Sequence, residues 1–233
     1  MDFNKKYEHL FFDLDHTLWD YDRNSEEALS ELYEEYGFAE WNVDFGAFLE
    51  AFHEVNNDLW DKFNCGQIER AELRDTRFPI ILGKLGIDVA RVPDDIGLRY
   101  LQIAPQKSHV IPETHRVLDI LKTRYRLHIL SNGFDDVQLS KLRHAGLQRY
   151  FDRVITSDNS GSRKPEIRIF EYALEQTGAD RSNSLFIGDN PKTDIEGARN
   201  SCIDHIFFNP SGLPLPYPDT FQIKQLDELL NIL

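Results

Sequence analysis

Asp13 and Asp15 stand two residues apart in FFDLDHTL, directly after a short apolar run. Two acids so spaced at a strand end can share one site. One can attack phosphorus as a carboxylate nucleophile. The other can protonate the leaving oxygen and then deprotonate a water. A solvated turn would use the same two residues. A second pair, Asp189 and Asp194, lies in IGDNPKTDI. Asp189 closes another apolar run. Asp194 falls near the start of the next helix, where the helix dipole favours an acid in any case. Magnesium takes carboxylates, phosphate oxygens and retained waters. Asp13 and Asp189 therefore read as metal ligands, with Asp194 behind them, holding a water beside the metal or Lys164. Lys164 precedes Pro165 in SGSRKPEIRIF. Proline suits the first position of a helix and keeps the preceding residue extended, so the lysine is expected at a helix entrance, either as an ordinary surface cation or as a counter-charge for phosphate and carboxylates together. Ser131 and Asn132 follow LHIL, and a hydroxyl with neighbouring N–H groups at a helix start suits phosphate. An ordinary strand-to-helix turn would also use Ser, Asn and Gly.

These residues are far apart in sequence, so strands must bring them together. HLFF leads into Asp13, LHIL into Ser131, RVIT into Ser157, SLFI into Gly188 and DHIFF into Asn209. Short runs rich in Ile, Leu and Phe read as buried parallel strands. Helical patterns lie between them: Ile167, Phe170 and Leu174 are expected on one face, as are Leu226, Leu229, Leu230 and Leu233. The alternation predicts an α/β fold, a Rossmann-like open parallel sheet with helices on both faces. In such sheets ligands bind beyond the carboxyl ends of the strands, where every polar cluster named above falls.

Residues 17–108 break the alternation and read as helices throughout. Leu29, Leu32, Tyr33 and Tyr36 form one stripe; Phe45, Phe48, Leu49, Phe52, Leu59, Trp60 and Phe63 form another. Further helices are expected near 69–85 and 94–104. The block reads as a helical domain inserted into a core made of residues 1–16 and 109–233.

The chain has 233 residues, 41% hydrophobic and 28% charged, with a net charge of -14. These are ordinary globular values. The acidic balance speaks against a nucleic-acid polymer or an anionic membrane as partner. A small anion stays within reach, because a metal and a local cation can reverse the field of a pocket. Cys65 and Cys202 form no C-x-x-C pair, which removes a disulfide framework and a zinc site. The start of the chain lacks signal-peptide character, and no apolar stretch nears the roughly 20 residues of a membrane span. A cytoplasmic protein is expected.

Taken in order, acid pair, Ser, Lys and acid pair, the chain resembles the haloacid dehalogenase-like superfamily. The matching pieces are Asp13-Leu14-Asp15-His16-Thr17, Ser131, Lys164, and Gly188-Asp189 with Asp194. The resemblance implies Asp13 as nucleophile, with an aspartyl-phosphate formed in turnover. It implies Asp15 as general acid and base, its main-chain carbonyl also meeting Mg2+. Thr17, Ser131 and Asn132 would position the phosphoryl group, Lys164 would neutralise charge, and Asp189 would bind the metal. Dehalogenase members lack an acid at position 15, which favours phosphoryl transfer. His16 stands where relatives often carry Gly, Asn or Glu, and is assigned no catalytic role.

In that superfamily such an insert resembles a cap that closes over the site and excludes water. Asn56 interrupts the second stripe between Phe52 and Trp60, and on a helix it shares their face. It is either a buried amide with a backbone partner or, with Trp60, part of a surface that stacks on and hydrogen-bonds a base. VNNDLWDKFNCGQIERAELRDTRF, with SNGF at 131–134, is similar to bacterial pyrimidine 5′-nucleotidases. The expected activity is therefore a magnesium-dependent phosphatase of small phosphate monoesters, foremost pyrimidine nucleoside 5′-monophosphates, in a monomer or homodimer. The alternatives are a phosphomutase, a sugar-phosphate or phosphoglycolate phosphatase, and a nucleotide-binding regulatory module without turnover.

Overall fold

The computed structural model describes residues 6–214 and 217–233. Residues 1–5, the beginning of the segment read above for signal-peptide character, lie outside the described residues. The chain divides into two compact units: residues up to Tyr21 together with Ser108–Leu233, and Asp22–Lys107. The expected boundary at residue 17 is thus displaced. Residues 17–21 stay with the first unit because backbone bonds tie them there. Asp20 N donates to His109 O at 3.1 Å and Ile111 N to Leu18 O at 2.9 Å.

The first unit opens with β1 (His9–Phe12). The second unit contributes α1 (Tyr21–Glu35, begun on the last residue of the first), α2 (Phe45–Asn64), α3 (Arg70–Lys84) and α4 (Ile96–Ile103). The chain returns through α5 (Thr114–Leu121), β2 (Arg126–Ser131), α6 (Asp135–His144), β3 (Arg153–Thr156), the single turn α7 (Ser157–Ser160) and α8 (Ile167–Thr177). It closes with β4 (Ser184–Gly188), α9 (Glu196–Asn200), β5 (Asp204–Phe208), β6 (Phe221–Ile223) and α10 (Leu229–Ile232).

All the strand pairs are parallel, in the order β3-β2-β1-β4-β5-β6. Side chains alternate between faces along each strand. Leu10, Phe12, Leu127, Ile129, Leu185 and Ile187 meet Val117, Leu118 and Leu121 of α5 on one face. Phe11, Leu130 and Phe186 meet Ile169, Phe170 and Ala173 of α8 on the other. Each fully buried Leu, Ile or Phe stabilises the fold by about 1.5–3 kcal/mol. Two expectations need correction here. Ile167 is exposed, because Ile169 and Phe170 set the inward face of α8. Pro165 does not start that helix: Glu166 is its N-cap, and the Lys164–Pro165 bond is cis.

Within the second unit, Phe52, Phe78 and Tyr100 join α2, α3 and α4 through ring contacts of 5.3–6.3 Å. Asn56 is buried on the same helix as Phe52, Leu59 and Phe63. Among the described residues no helix is long and apolar enough to cross a membrane.

Candidate active site

β1 ends at Phe12, in register with Ile129 of β2 and Ile187 of β4. Parallel pairing therefore sets the residues after each strand at one edge of the sheet. Asp13 N extends the ladder by donating to Ile187 O at 2.9 Å. The chain then turns tightly: Leu18 N and Trp19 N both donate to Leu14 O, and His16 N to Trp19 O. His16 sits at φ 61°, the left-handed region that glycine and asparagine tolerate best. That backbone need suits the Gly and Asn expected at this position, though not the Glu.

Lys164 Nζ lies 2.6 Å from Asp13 Oδ1 and 2.7 Å from Asp194 Oδ1, and is 1% exposed. Asn132 holds the loop that delivers it. Its Nδ2 donates to Lys164 O at 2.9 Å, and its Oδ1 accepts from Lys164 N at 2.7 Å. Thr17 Oγ1 donates to Asp189 Oδ1 at 2.8 Å. Asp194 belongs to a wide helical turn, Pro191–Ile195, capped by Asn190, and its Oδ2 accepts from Asn190 N at 3.0 Å. Gly188 makes room for it, since a Cβ there would lie 2.3 Å from Asp194 Oδ2. In the first unit, bonds thus join Asp13, Asn132, Lys164 and Asp194, and Thr17 is bonded to Asp189, whose carboxylate lies within 4.8 Å of those of Asp13 and Asp194; Asp15 and Ser131 are bonded to a common side chain. Asn56 and Trp60 belong to the second unit, where Trp60 is partly buried and edge-on to Phe63 at 5.5 Å.

Two members of the cluster were not foreseen. Gln138 Nε2 donates to Asp15 Oδ2 at 2.9 Å and to Ser131 Oγ at 2.7 Å. Lys141 Nζ lies 2.6 Å from Asp15 Oδ1. Both are buried on α6, while Leu139 between them is exposed. The spacing i, i+3 places Gln138 and Lys141 on one face. Nothing in their types marks that face as the inward one.

Asp13, Asp189 and Asp194 each offer a carboxylate oxygen, all within 4.8 Å of one another. One ammonium serves them. Burial pushes the Asp13 carboxyl well above its ordinary range, and the charges of Asp194 and Asp189 add to this against the pull of Lys164. Asp189 is pushed up to about 7 by burial and Asp194, with Thr17 and Lys164 opposing. For Lys164, burial works against the charge, but Asp13 and Asp194 outweigh it and keep the ammonium protonated. When all three are ionised, the carboxylates exceed the one ammonium by two negative charges, in a set of hard oxygen donors. These residues fit a small divalent cation such as magnesium. Asp15 differs. Burial pushes it up, but Lys141, Gln138 and His16 together hold it below its ordinary value.

The family model for haloacid dehalogenase-like hydrolases matches residues 7–201. Over 97% of this chain and 95% of its own, the pyrimidine 5′-nucleotidase PynA of Streptococcus pneumoniae is 31% identical. The pyrimidine 5′-nucleotidase YjjG of Escherichia coli is 29% identical over 98% of both chains. A crystal structure of the HAD-hydrolase YfnB of Bacillus subtilis, bound to magnesium and revealing interdomain movement, superposes with a TM-score of 0.86 at 28% identity. It covers 98% of this chain and 99% of its own. The chain belongs to the haloacid dehalogenase-like hydrolases. With relatives of this kind along its whole length, it is a phosphoric monoester hydrolase.

Proposed function

We propose that the protein is a magnesium-dependent phosphatase that works through an aspartyl-phosphate on Asp13, with pyrimidine nucleoside 5′-monophosphates as substrates. The observation that carries the reading is the set of buried Asp13, Lys164 and Asp194 with half-buried Asp189, a carboxylate nucleophile among groups that fit a divalent cation.

The carboxylates of Asp13 and Asp189 and the main-chain carbonyl of Asp15 would hold the metal, with Asp194 behind them on Lys164. When bound, magnesium supplies the positive charge that the carboxylates lack and that a phosphoryl group needs. Asp13 attacks phosphorus, and the ester P–O bond breaks as a new P–O bond forms to its carboxylate. Asp15, which Lys141 and Gln138 hold as a carboxylate in the free site, must first take up a proton from solvent, and it gives that proton to the leaving oxygen. It then takes a proton from a water as that water attacks phosphorus. The Asp13–phosphorus bond breaks, inorganic phosphate leaves, and Asp15 is again protonated. Ser131 and the N–H groups after it would hold the phosphoryl oxygens, and Lys164 offsets their charge. The nucleotide preference rests on the two pyrimidine 5′-nucleotidases among the relatives.

Phosphate release from dUMP, dTMP, sugar phosphates and phosphoglycolate, with magnesium and with chelator, tests the reading. The expected result is release that stops on chelation, with dUMP and dTMP preferred by at least about tenfold in kcat/KM. Asp13→Asn should lower release by on the order of 10³-fold or more. Turnover that survives chelation, or survives Asp13→Asn, would refute it. A preference for sugar phosphates would refute the substrate alone.

A further inference from the structure

Asp15 is held by two side chains that the chemistry above does not use. Its Oδ1 meets Lys141 Nζ at 2.6 Å, and its Oδ2 accepts from Gln138 Nε2 at 2.9 Å. With each oxygen fixed by a separate donor, rotation of the carboxylate is restrained about both bonds of its side chain. The same Gln138 Nε2 donates to Ser131 Oγ at 2.7 Å. One amide nitrogen therefore joins the carboxylate to the hydroxyl expected to hold the phosphoryl group.

The surroundings favour this arrangement over a casual surface pairing. The Lys141 side chain is only 7% exposed, and its ammonium lies 4.4 Å from the centre of the Trp19 ring and 5.6 Å from that of Tyr21. Gln138 is fully buried, and its Oε1 has no hydrogen-bond partner among the described residues. A buried polar atom without a partner costs free energy. Turning the amide over would set Oε1 against the Asp15 carboxylate, so the amide nitrogen faces the site. Gly133 leaves the space it needs: a Cβ there would lie 2.2 Å from Gln138 Nε2.

We infer that Gln138 and Lys141 are positioning residues for Asp15, fixing its carboxylate relative to the phosphoryl site so that proton transfer to the leaving oxygen is aligned. The inference rests on the acid–base role proposed for Asp15. It concerns geometry, so its signature is a loss that depends on how much the leaving group needs a proton. Phenyl phosphate needs one; p-nitrophenyl phosphate, with its stable phenolate, does not. The parameter to measure is kcat/KM, which covers attack by Asp13 and departure of the leaving group and excludes the later hydrolysis.

Four variants are compared with the parent at saturating magnesium, each with its melting temperature. Asp15→Asn should lose on the order of 10²–10⁴-fold on phenyl phosphate and far less on p-nitrophenyl phosphate. Lys141→Met and Gln138→Met should show the same selectivity in smaller degree, roughly tenfold or more against roughly threefold or less. Lys141→Arg, which keeps charge and donors, should recover most of the loss on phenyl phosphate. If Lys141→Met does not fold, the neutral and similarly sized Gln138→Met carries the test. Equal losses on both esters, or none, in the Gln138 and Lys141 variants beside a selective Asp15→Asn would overturn the inference alone. Equal losses in Asp15→Asn would overturn the acid role of Asp15, and the inference with it.

Discussion

Asp189 is an acid whose neighbours make ionisation costly. Burial and Asp194 raise it to about 7 from an ordinary 3.8. The folded chain therefore holds that proton more tightly than the unfolded chain between those two values. By linkage, the stabilisation is full below 3.8 and is lost as pH rises through about 7. Asp13 is shifted in the same direction. Without metal, the melting temperature should fall as pH is raised across that window. Asp189→Asn should reduce the fall and lift the metal-free melting temperature near neutral pH by roughly 2–4 °C, about 1 kcal/mol. Added magnesium should raise the melting temperature of the parent and have little effect on that variant. Thermal melts with chelator and with magnesium measure both, and an unchanged metal-free melt in Asp189→Asn would contradict the crowding described here. At this scale Asp13 and Asp189 stood out as charged residues directly after apolar runs, whereas Lys164 was picked out by its place before Pro165 and Asp194 by its place near a helix start. Gln138 and Lys141 were not legible. They lie inside a helix, where polar residues ordinarily face water, and α6 buries them while exposing Leu139.

The elements that carry the site leave little space at its edge. Gly188 closes β4, and the carboxylate of Asp194 occupies the volume a side chain would need, with Cγ at 2.6 Å and Oδ2 at 2.3 Å from the position of a Cβ. Gly188→Ala must push Asp194 away from Lys164 or distort the turn. The expected cost is about 1–3 kcal/mol in urea unfolding, with phosphate release lowered by on the order of tenfold or more as Lys164 loses one of its two acids. A variant with parental stability and activity would show that the turn gives way freely. Five strands could be read from their apolar runs, because strands covered on both faces are apolar throughout. The short edge strand β6 was missed, since FQI has neither the length nor the continuity of the others. The face of α8 was misjudged because Ile167 and Ile169 offered two apolar registers, and only packing against the sheet selects Ile169 and Phe170.

For the whole molecule, a charge of -14 spread over 233 residues means that the folded chain repels itself. Raising sodium chloride from about 0.01 to about 0.15 M shortens the screening length from roughly 30 to roughly 8 Å. At fixed magnesium the melting temperature should rise across that range, as differential scanning calorimetry would record. A fall would mean that favourable ion pairs outweigh the net repulsion. The existence of an inserted helical unit was legible, because alternation of strand and helix stops after Asp13 and resumes near residue 109. Its first boundary was not. Leu18, Trp19 and Asp20 read like the opening of the insert, yet long-range backbone bonds bind them to the first unit, and no local pattern encodes such bonds.

Those bonds also bear on what the fold can accept. Trp19 and Val110 form an antiparallel bridge, so the chain leaves and re-enters the first unit as two neighbouring threads. Seen from there, everything between Tyr21 and Ser108 is one long excursion whose ends are already fastened together. The entropy of closing an excursion grows only with the logarithm of its length. A longer or shorter excursion at this seam should therefore change the closure entropy of the first unit only slightly, each doubling of its length costing about 0.6 kcal/mol.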